Sequence, residues 1–307
     1  MRAGPGDPAP QVAPARVRPR AAIRSRSGPG AAGRHAVAGP SGGGGRPGGA
    51  APVTDPAAGE LQQVERALRT RYVGRRIHWF ERVDSTNDVA RTLAEGGAPE
   101  GTVVLAREQT AGRGRLGRPW VSPPGGIWMS VVLRPIAAPH EVPRLSLAVG
   151  VAASRAVERA CGLSVGLRWP NDLVVARRKV GGILVEAGPD ALWVVVGVGI
   201  NANVPAAELP EGATSLLEVK GSPVDRAALL QALLGELEIV YEMFRGHDWA
   251  TLLEWWRSRS TTLGRRVRVH VPSGVYEGVA EDVDEDGALV LRLPDGGCKR
   301  IVAGEVS

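Results

Sequence analysis

The chain has 307 residues and a formal net charge of +6, but that charge is gathered at one end. Up to Pro52 there are eight arginines against Asp7 alone, a local balance of +7, so the remaining residues carry −1 and the basic pI says nothing about a folded body. No apolar run is long enough for a signal sequence or a membrane span, and the two cysteines, Cys161 and Cys298, stand far apart, which argues against membrane and disulfide-framework classes.

Residues 1–52 are mostly Gly, Pro, Ala and Arg, with almost no large apolar side chains. Such a segment cannot bury enough surface to offset the entropy of ordering, and a disordered tail is predicted. Its charge would suit a nucleic acid or a membrane surface, and its Arg-rich, acid-poor composition a transit peptide. An over-extended start is a further reading, because no second Met precedes Met129.

From Thr54 the pattern becomes globular. Asp55 is a candidate cap and Pro56 a first helical residue for a helix through "AAGELQQVERALRTRY". "RRIHWFERV" (75–83) reads as a strand, and "DSTNDVARTLAEGG" (84–97) as a helix opened by capping residues and closed by Gly-Gly. Strands follow at 101–110 and 125–135, then a long buried helix over 139–162. "LSVGLRWPND" is a strand ending at Pro170, and the apolar runs after it read as hairpin-connected strands. A helix capped at Ser222 or Asp225 and a second from "WATLLEWWRSRS" complete this part. From Leu263 apolar and polar residues alternate, with turns at Pro-Ser-Gly, Asp-Glu-Asp-Gly and Pro-Asp-Gly-Gly, so a small all-β module is predicted to pack on the larger domain.

Four short stretches carry chemistry. The first is "QTAGRGRLGRPW" (109–120), in which Gly112, Gly114 and Gly117 fit G-x-G-x-x-G. A dinucleotide site needs a helix next, which Pro119, Pro123 and Pro124 forbid, and an acid at the ribose position, where none occurs between Glu108 and Glu141. A P-loop fails because Arg118-Pro119 stands where Lys-Ser/Thr is required. Arg113, Arg115 and Arg118 cannot easily share one partner, and their planar forks suit phosphate or carboxylate oxygens. The expectation is a loop mobile when empty and ordered around an anion, with Trp120 covering a ring. The second stretch, "DSTN" (84–87), offers hydroxyls and an amide at a helix start, where an ordinary cap would also suffice. The third, "RWPND" (168–172), leads to Lys179 beside Gly181-Gly182 in an apolar run, a place where lysine is rare unless paired or reaching out to solvent. The fourth, "GVGINAN" (197–203), ends a buried strand in Asn201 and Asn203. The five histidines are scattered, and no metal-ligand cluster is visible.

In this order and spacing, "DSTN", "Q-x-x-GRGRxGRxW", "WPND…KVGGIL" and "VGIN" resemble the biotin–protein ligases, and "GALVLRLPDGG…VAGEVS" resembles that family's SH3-like C-terminal domain. The resemblance covers about Val53 to Ser307. It implies an α+β fold: a catalytic domain with a mixed β-sheet, akin to class II aminoacyl-tRNA synthetases, over 53–262, and an SH3-like β-barrel over 263–307. It implies an enzyme that makes biotinyl-5′-AMP from biotin and ATP, with magnesium, and passes biotin to a lysine of a biotin carboxyl carrier domain. Residues 1–52 do not read as the winged helix of the repressor members, so the monofunctional type is expected, with no specific DNA binding, no membrane association, a cytoplasmic location, and a monomer or homodimer. Leu116 stands where the repressor type often has another arginine. Lipoate and octanoyl ligases share the fold but lack the full arginine loop.

Residue by residue, the resemblance implies Lys179, Arg115 and Arg118 as catalytic cations, with Lys179 bridging the biotin carboxylate and the α-phosphate. Ser85, Thr86, Asn87, Gln109, Gly112, Arg113, Gly114, Arg115, Lys179 and Gly182 are expected around biotin, with Gly112 and Gly182 letting backbone approach it. Arg115, Arg118, Trp120, Asn171, Asp172 and Asn201 are expected around ATP and the adenylate, with magnesium near Asn201. Asp172 is expected to orient either Lys179 or the attacking amine.

Overall fold

The structure, a computed structural model, describes residues 56–307. The expectations for residues 1–52 and for an Asp55 cap lie outside the described residues.

Helix α1 (Pro56–Ala67) precedes strand β1 (Arg76–Val83), and α2 (Thr86–Glu95) crosses to β2 (Thr102–Gln109). The rest of the larger part is β3 (Ile127–Leu133), α3 (Arg144–Cys161), β4 (Gly166–Arg168), β5 (Asp172–Val175), β6 (Arg178–Ala187), β7 (Val194–Ile200), α4 (Leu216–Lys220), α5 (Arg226–Arg245) and α6 (Trp249–Arg259). Seven strands form one sheet in the order β1-β2-β3-β7-β6-β5-β4. Only β1 and β2, joined by a helical crossover, run parallel; the hairpin-linked strands are antiparallel, giving the mixed sheet expected.

Alternation along each strand separates two environments. From β3, Ile127, Met129, Val131 and Leu133 enter the main core, which is closed by α3, α5 and α6. Trp128, Ser130 and Val132 take the opposite face, where α2 packs through Ala90 and Ala94. Helix α3 starts only after Pro143, five residues later than the sequence predicts, because Pro139–Glu141 forms a separate 3-10 turn. It ends on Gly162 at φ 69°, a left-handed cap conformation that favours glycine. Of the two cap candidates for α5, Asp225 is the one used, accepting from Ala228 N at 3.0 Å. The short helix α4, capped by Ser215, was not read from the sequence. Glu238 on α5 accepts the backbone N–H groups of Arg71, Tyr72 and Val73 at 2.7, 2.9 and 3.0 Å and so fixes the segment that enters β1.

The C-terminal part is a five-stranded antiparallel sheet: β8 (Arg266–Val271), β9 (Gly274–Val283), β10 (Leu289–Arg292), β11 (Cys298–Ile301) and β12 (Glu305–Val306), in the order β11-β10-β9-β8-β12. Its turns fall where predicted. Among the described residues no strand pairing joins β11 to β12, so the sheet is not hydrogen-bonded into a closed barrel. Val267, Val269, Val283, Leu289 and Leu291 share the main core with the larger part. Fully burying one such side chain stabilises by roughly 1.5–3 kcal/mol, an upper bound for real unfolded chains. Arg257 adds a two-pronged ion pair to Asp282 at 2.7 and 2.8 Å, and Trp169 Nε1 donates to Gly287 O at 3.0 Å. This docking brings residues 304–307 to the cavity described next.

Candidate active site

One cavity of about 720 Å³ opens on the α2 face of the large sheet. Every residue expected around biotin, ATP or the adenylate lines it except Gly112. Four distant stretches converge there: the start of α2, the arginine loop after β2, the segment from Arg168 through β5 to β6, and the end of β7. Two glycines of β7 make the space. A Cβ on Gly197 would stand 2.4 Å from Asn87 Oδ1, and one on Gly199 would stand 2.7 Å from Trp120 Nε1.

At the start of α2, Ser85, Thr86 and Asn87 are all buried. Ser85 occupies the cap position but gives no side-chain cap. Gln109 of β2 does that work, accepting from Thr86 N at 2.8 Å, while its Nε2 donates to Ser122 Oγ at 2.8 Å. The "DSTN" hydroxyls are thus not consumed in ordinary capping. Gly112 does not line the cavity and allows a close approach within the loop, because a Cβ there would meet Trp120 O at 2.5 Å and Ser122 Oγ at 2.8 Å. Gly182 does face the cavity, where a Cβ would stand 3.4 Å from Lys179 Cε and 3.5 Å from Trp120 Cζ3.

The three loop arginines do not share one partner. Each has its own. Arg113 forms a two-pronged pair with Asp88 of α2 at 2.5 and 2.7 Å and lies 3.8 Å from Glu186. That hydrogen bond, ahead of the Coulomb attraction, holds the Asp88 carboxyl below its ordinary value. Arg115 Nη1 donates to Gly304 O at 2.9 Å, and burial pushes its guanidinium pKa down. Arg118 pairs with Glu305. The loop therefore follows a defined path between α2 and the C-terminal sheet. Leu116 at its tip has φ 57° and is 71% exposed.

Lys179 Nζ is 2.5 Å from Asp172 Oδ1, and the other oxygen of Asp172 accepts from Arg168 at 2.7 and 3.2 Å. Asp172 is thus paired with Lys179, one of its two expected partners. Lys179 Nζ also sits 5.0 Å from the centroid of the Trp120 ring, within cation–π range. Trp120 packs edge-on against Trp128, and its Nε1 is buried with no partner. Asn171 Nδ2 donates to Ile183 O at 2.8 Å. Asn201 Nδ2 donates to Thr214 O at 2.9 Å, leaving its buried Oδ1 as an unpartnered acceptor. Asn203 is held on both sides by the Val224 backbone and is structural.

Several lining residues were not read from the sequence. Gly197 and Gly199 could have been suspected from two glycines in an apolar strand, which mark a close approach. Ser130, behind the cavity, is the lone polar residue in "IWMSVVL". His270, Glu305, Val306 and Ser307, brought in by the C-terminal sheet, leave no local signal at all. Among the described residues no group of three or more His, Cys, Asp or Glu is placed to hold a metal ion.

The chemistry of this cavity suits a ligand with a polar, hydrogen-bonding head near Thr86 and Asn87 and an anionic portion near Lys179, Arg115 and Arg118. The chain matches the Biotin/lipoate A/B protein ligase family over residues 79–201 and the Biotin protein ligase C terminal domain over residues 262–307. It is 36% identical over 255 residues to the Biotin--[acetyl-CoA-carboxylase] ligase of Mycobacterium tuberculosis, covering 79% of this chain and 94% of that protein. It is 34% identical over 252 residues to the Bifunctional ligase/repressor BirA of Bacillus subtilis, covering 80% of this chain and 77% of that protein. Among solved structures it resembles the biotin protein ligase from Aquifex aeolicus in complex with biotin and ATP, with a TM-score of 0.66, 32% identity, and coverage of 76% of this chain and 97% of that one.

Proposed function

This chain belongs to the biotin protein ligase family, and from that premise we propose that it is an ATP-dependent ligase that forms biotinyl-5′-AMP and transfers biotin to the lysine of a biotin carboxyl carrier domain. A carboxylate oxygen of biotin attacks the α-phosphorus of ATP, the bond to the β-phosphate breaks, and pyrophosphate leaves. The acceptor amine then attacks the acyl carbon, and AMP leaves with the anhydride oxygen. The first step brings two anions together, so positive charge must be in place before reaction. The observation that carries the reading is Lys179, held at 2.5 Å by Asp172 in the one cavity where all four motifs meet.

In this reading Lys179 bridges the biotin carboxylate and the α-phosphate, and Asp172, itself braced by Arg168, keeps the ammonium aimed. Arg115 and Arg118 take the phosphates, and Arg113 braces the loop near the biotin carboxylate. Ser85, Thr86, Asn87, Gln109, Gly114 and Gly182 surround biotin. Trp120 covers a bound ring, with Asn171, Asp172 and Asn201 on the nucleotide side. The unpartnered Asn201 Oδ1 is an oxygen of the kind magnesium takes. Magnesium would arrive with the nucleotide, held by its phosphates and Asn201, and would neutralise phosphate charge.

The C-terminal match favours a biotin ligase over a lipoate or octanoyl ligase. Coverage of 94% of the mycobacterial ligase against 77% of the bifunctional relative supports the monofunctional reading, with no specific DNA binding. The organisation that goes with it is a catalytic unit over residues 53–262 and a C-terminal module over 263–307. No helix among the described residues is long and apolar enough to cross a membrane, and both cysteines are free, which supports a cytoplasmic placement. The test is ATP-dependent transfer of labelled biotin to a purified carrier domain. Label on the carrier lysine is the expected result; label on lipoate-type acceptors instead, or none, overturns the proposal.

A further inference from the structure

Behind the cavity wall a chain of hydrogen bonds ends on Glu186 of β6, a residue with no part in the roles given above. Asn87 is gripped on three sides. Its Nδ2 donates to Glu186 Oε2 at 2.6 Å, its Oδ1 accepts from Ser130 Oγ at 2.6 Å, and Gly197 leaves no side chain beside it. Ser130 Oγ is 2.7 Å from Thr86 Oγ1, which is 3.1 Å from Gln109 Oε1.

The protons along this chain can be assigned. A carboxylate only accepts, so Asn87 must turn its NH2 to Glu186 and its carbonyl to Ser130. Ser130 has one proton and gives it to that carbonyl, so Ser130 must receive from Thr86. Thr86 has one proton and two oxygens within reach. The 2.7 Å contact to Ser130 is at the usual O–H···O length, and the 3.1 Å contact to Gln109 is beyond it. Every donor therefore points toward Glu186, and Thr86 Oγ1 is left as an acceptor at the cavity wall. Without the carboxylate nothing fixes which way the Asn87 amide faces, and the direction of the whole chain is free to reverse.

We infer that Glu186 is a positioning residue for the biotin pocket: its charge sets the polarity of the Asn87–Ser130–Thr86 chain, so that Thr86 presents lone pairs to an N–H donor, as a cyclic urea carries. This rests on the function proposed above. Arg113, bound to Asp88, lies 3.8 Å from Glu186 Oε1 and leaves the Asn87 contact on Oε2 in place.

The test uses the full chain in biotin-dependent ATP–pyrophosphate exchange, with KM for biotin and for ATP measured separately. Glu186→Leu should raise the biotin KM at least tenfold and leave the ATP KM within about twofold. Glu186→Gln keeps an acceptor and should raise the biotin KM only a few-fold. Asn87→Asp sets two carboxylates face to face and should raise it strongly. The double variant Asn87→Asp with Glu186→Gln should recover most of that loss, because the glutamine amide then donates to Asp at 87, whose other oxygen still accepts from Ser130. Two results overturn the proposal: a biotin KM unmoved by Glu186→Leu, or a double variant no better than Asn87→Asp. If Glu186→Leu does not fold, the double-variant rescue decides alone. A wild-type chain with no biotin-dependent exchange would fail the functional reading itself, before any variant is compared.

Discussion

Lys179→Ala separates chemistry from folding because of what surrounds the lysine. Its side chain is 30% exposed and that of Asp172 is 15% exposed, so the pair is partly screened. Removing the lysine does not strand the carboxylate, which keeps two contacts from Arg168 at 2.7 and 3.2 Å. The stability loss should then be on the order of 1 kcal/mol or less, as for partly exposed pairs, or ~2–4 °C in melting temperature for a chain of this size. The barrier is another matter. One oriented cationic donor aimed at developing charge is worth ~3–4 kcal/mol, a rate factor of ~10²–10³. Biotin-dependent pyrophosphate release from ATP reads the first half-reaction directly, and a thermal melt reads the fold. Release at near wild-type rate would refute the role of Lys179. A loss of rate matched by a melting point more than ten degrees lower would refute the claim that Arg168 is sufficient to hold Asp172.

Three further outcomes follow from the same geometry. Gly199→Ala places a methyl 2.7–3.1 Å from the Trp120 indole, so it should push the ring from its seat and weaken ligand binding at least tenfold, measured as biotin KM; unchanged KM would mean that the ring moves freely. Glu238→Ala strands the N–H groups of Arg71, Tyr72 and Val73 and should cost about 3 kcal/mol or more by urea unfolding, while a loss below ~1 kcal/mol would mean that water replaces the carboxylate. Asp88 titrates below its ordinary value in the fold because Arg113 binds its charged form, so its stabilising effect is present above the unfolded value of ~3.9 and is lost as pH falls through the lower folded value. The melting-temperature gap between wild type and Asp88→Asn should therefore be constant near neutrality and close below about pH 4; a gap that widens on acidification contradicts the pairing.

The elements were legible where one local rule acted alone. Period-two alternation placed the C-terminal strands, and capping preference narrowed the start of α5 to Ser222 or Asp225, of which Asp225 answers an N–H three residues on. Failures occurred where two rules competed. The apolar periodicity that predicts a helix from 139 runs through Pro143, and the proline decided the boundary. Helix α4 has only five residues, too few for a period to register.

The site divides in the same way. The residues that can be recognised from sequence are those whose chemistry is odd for their surroundings, such as a lysine in an apolar strand or three arginines among glycines. The residues that decide how those groups behave are unremarkable in their own neighbourhoods. Asp88 is 25 positions from Arg113, and Gly304 is 189 from Arg115, so local sequence could show that the arginines do not share a partner but not which partner each one has. Glu186 looks like an ordinary polar residue at the end of a strand until β6 is laid beside β7 in register, which puts it within reach of an asparagine 99 positions earlier. Antiparallel pairing of β3, β7 and β6 is what turns Ser130, Gly197 and Glu186 into one cradle for Asn87, and the register that does so is fixed by the apolar face on the other side of the sheet. A one-residue slip would send Val131 and Val196 toward the cavity and bury Ser130 in the helix core. The apolar core therefore sets the polarity of the site.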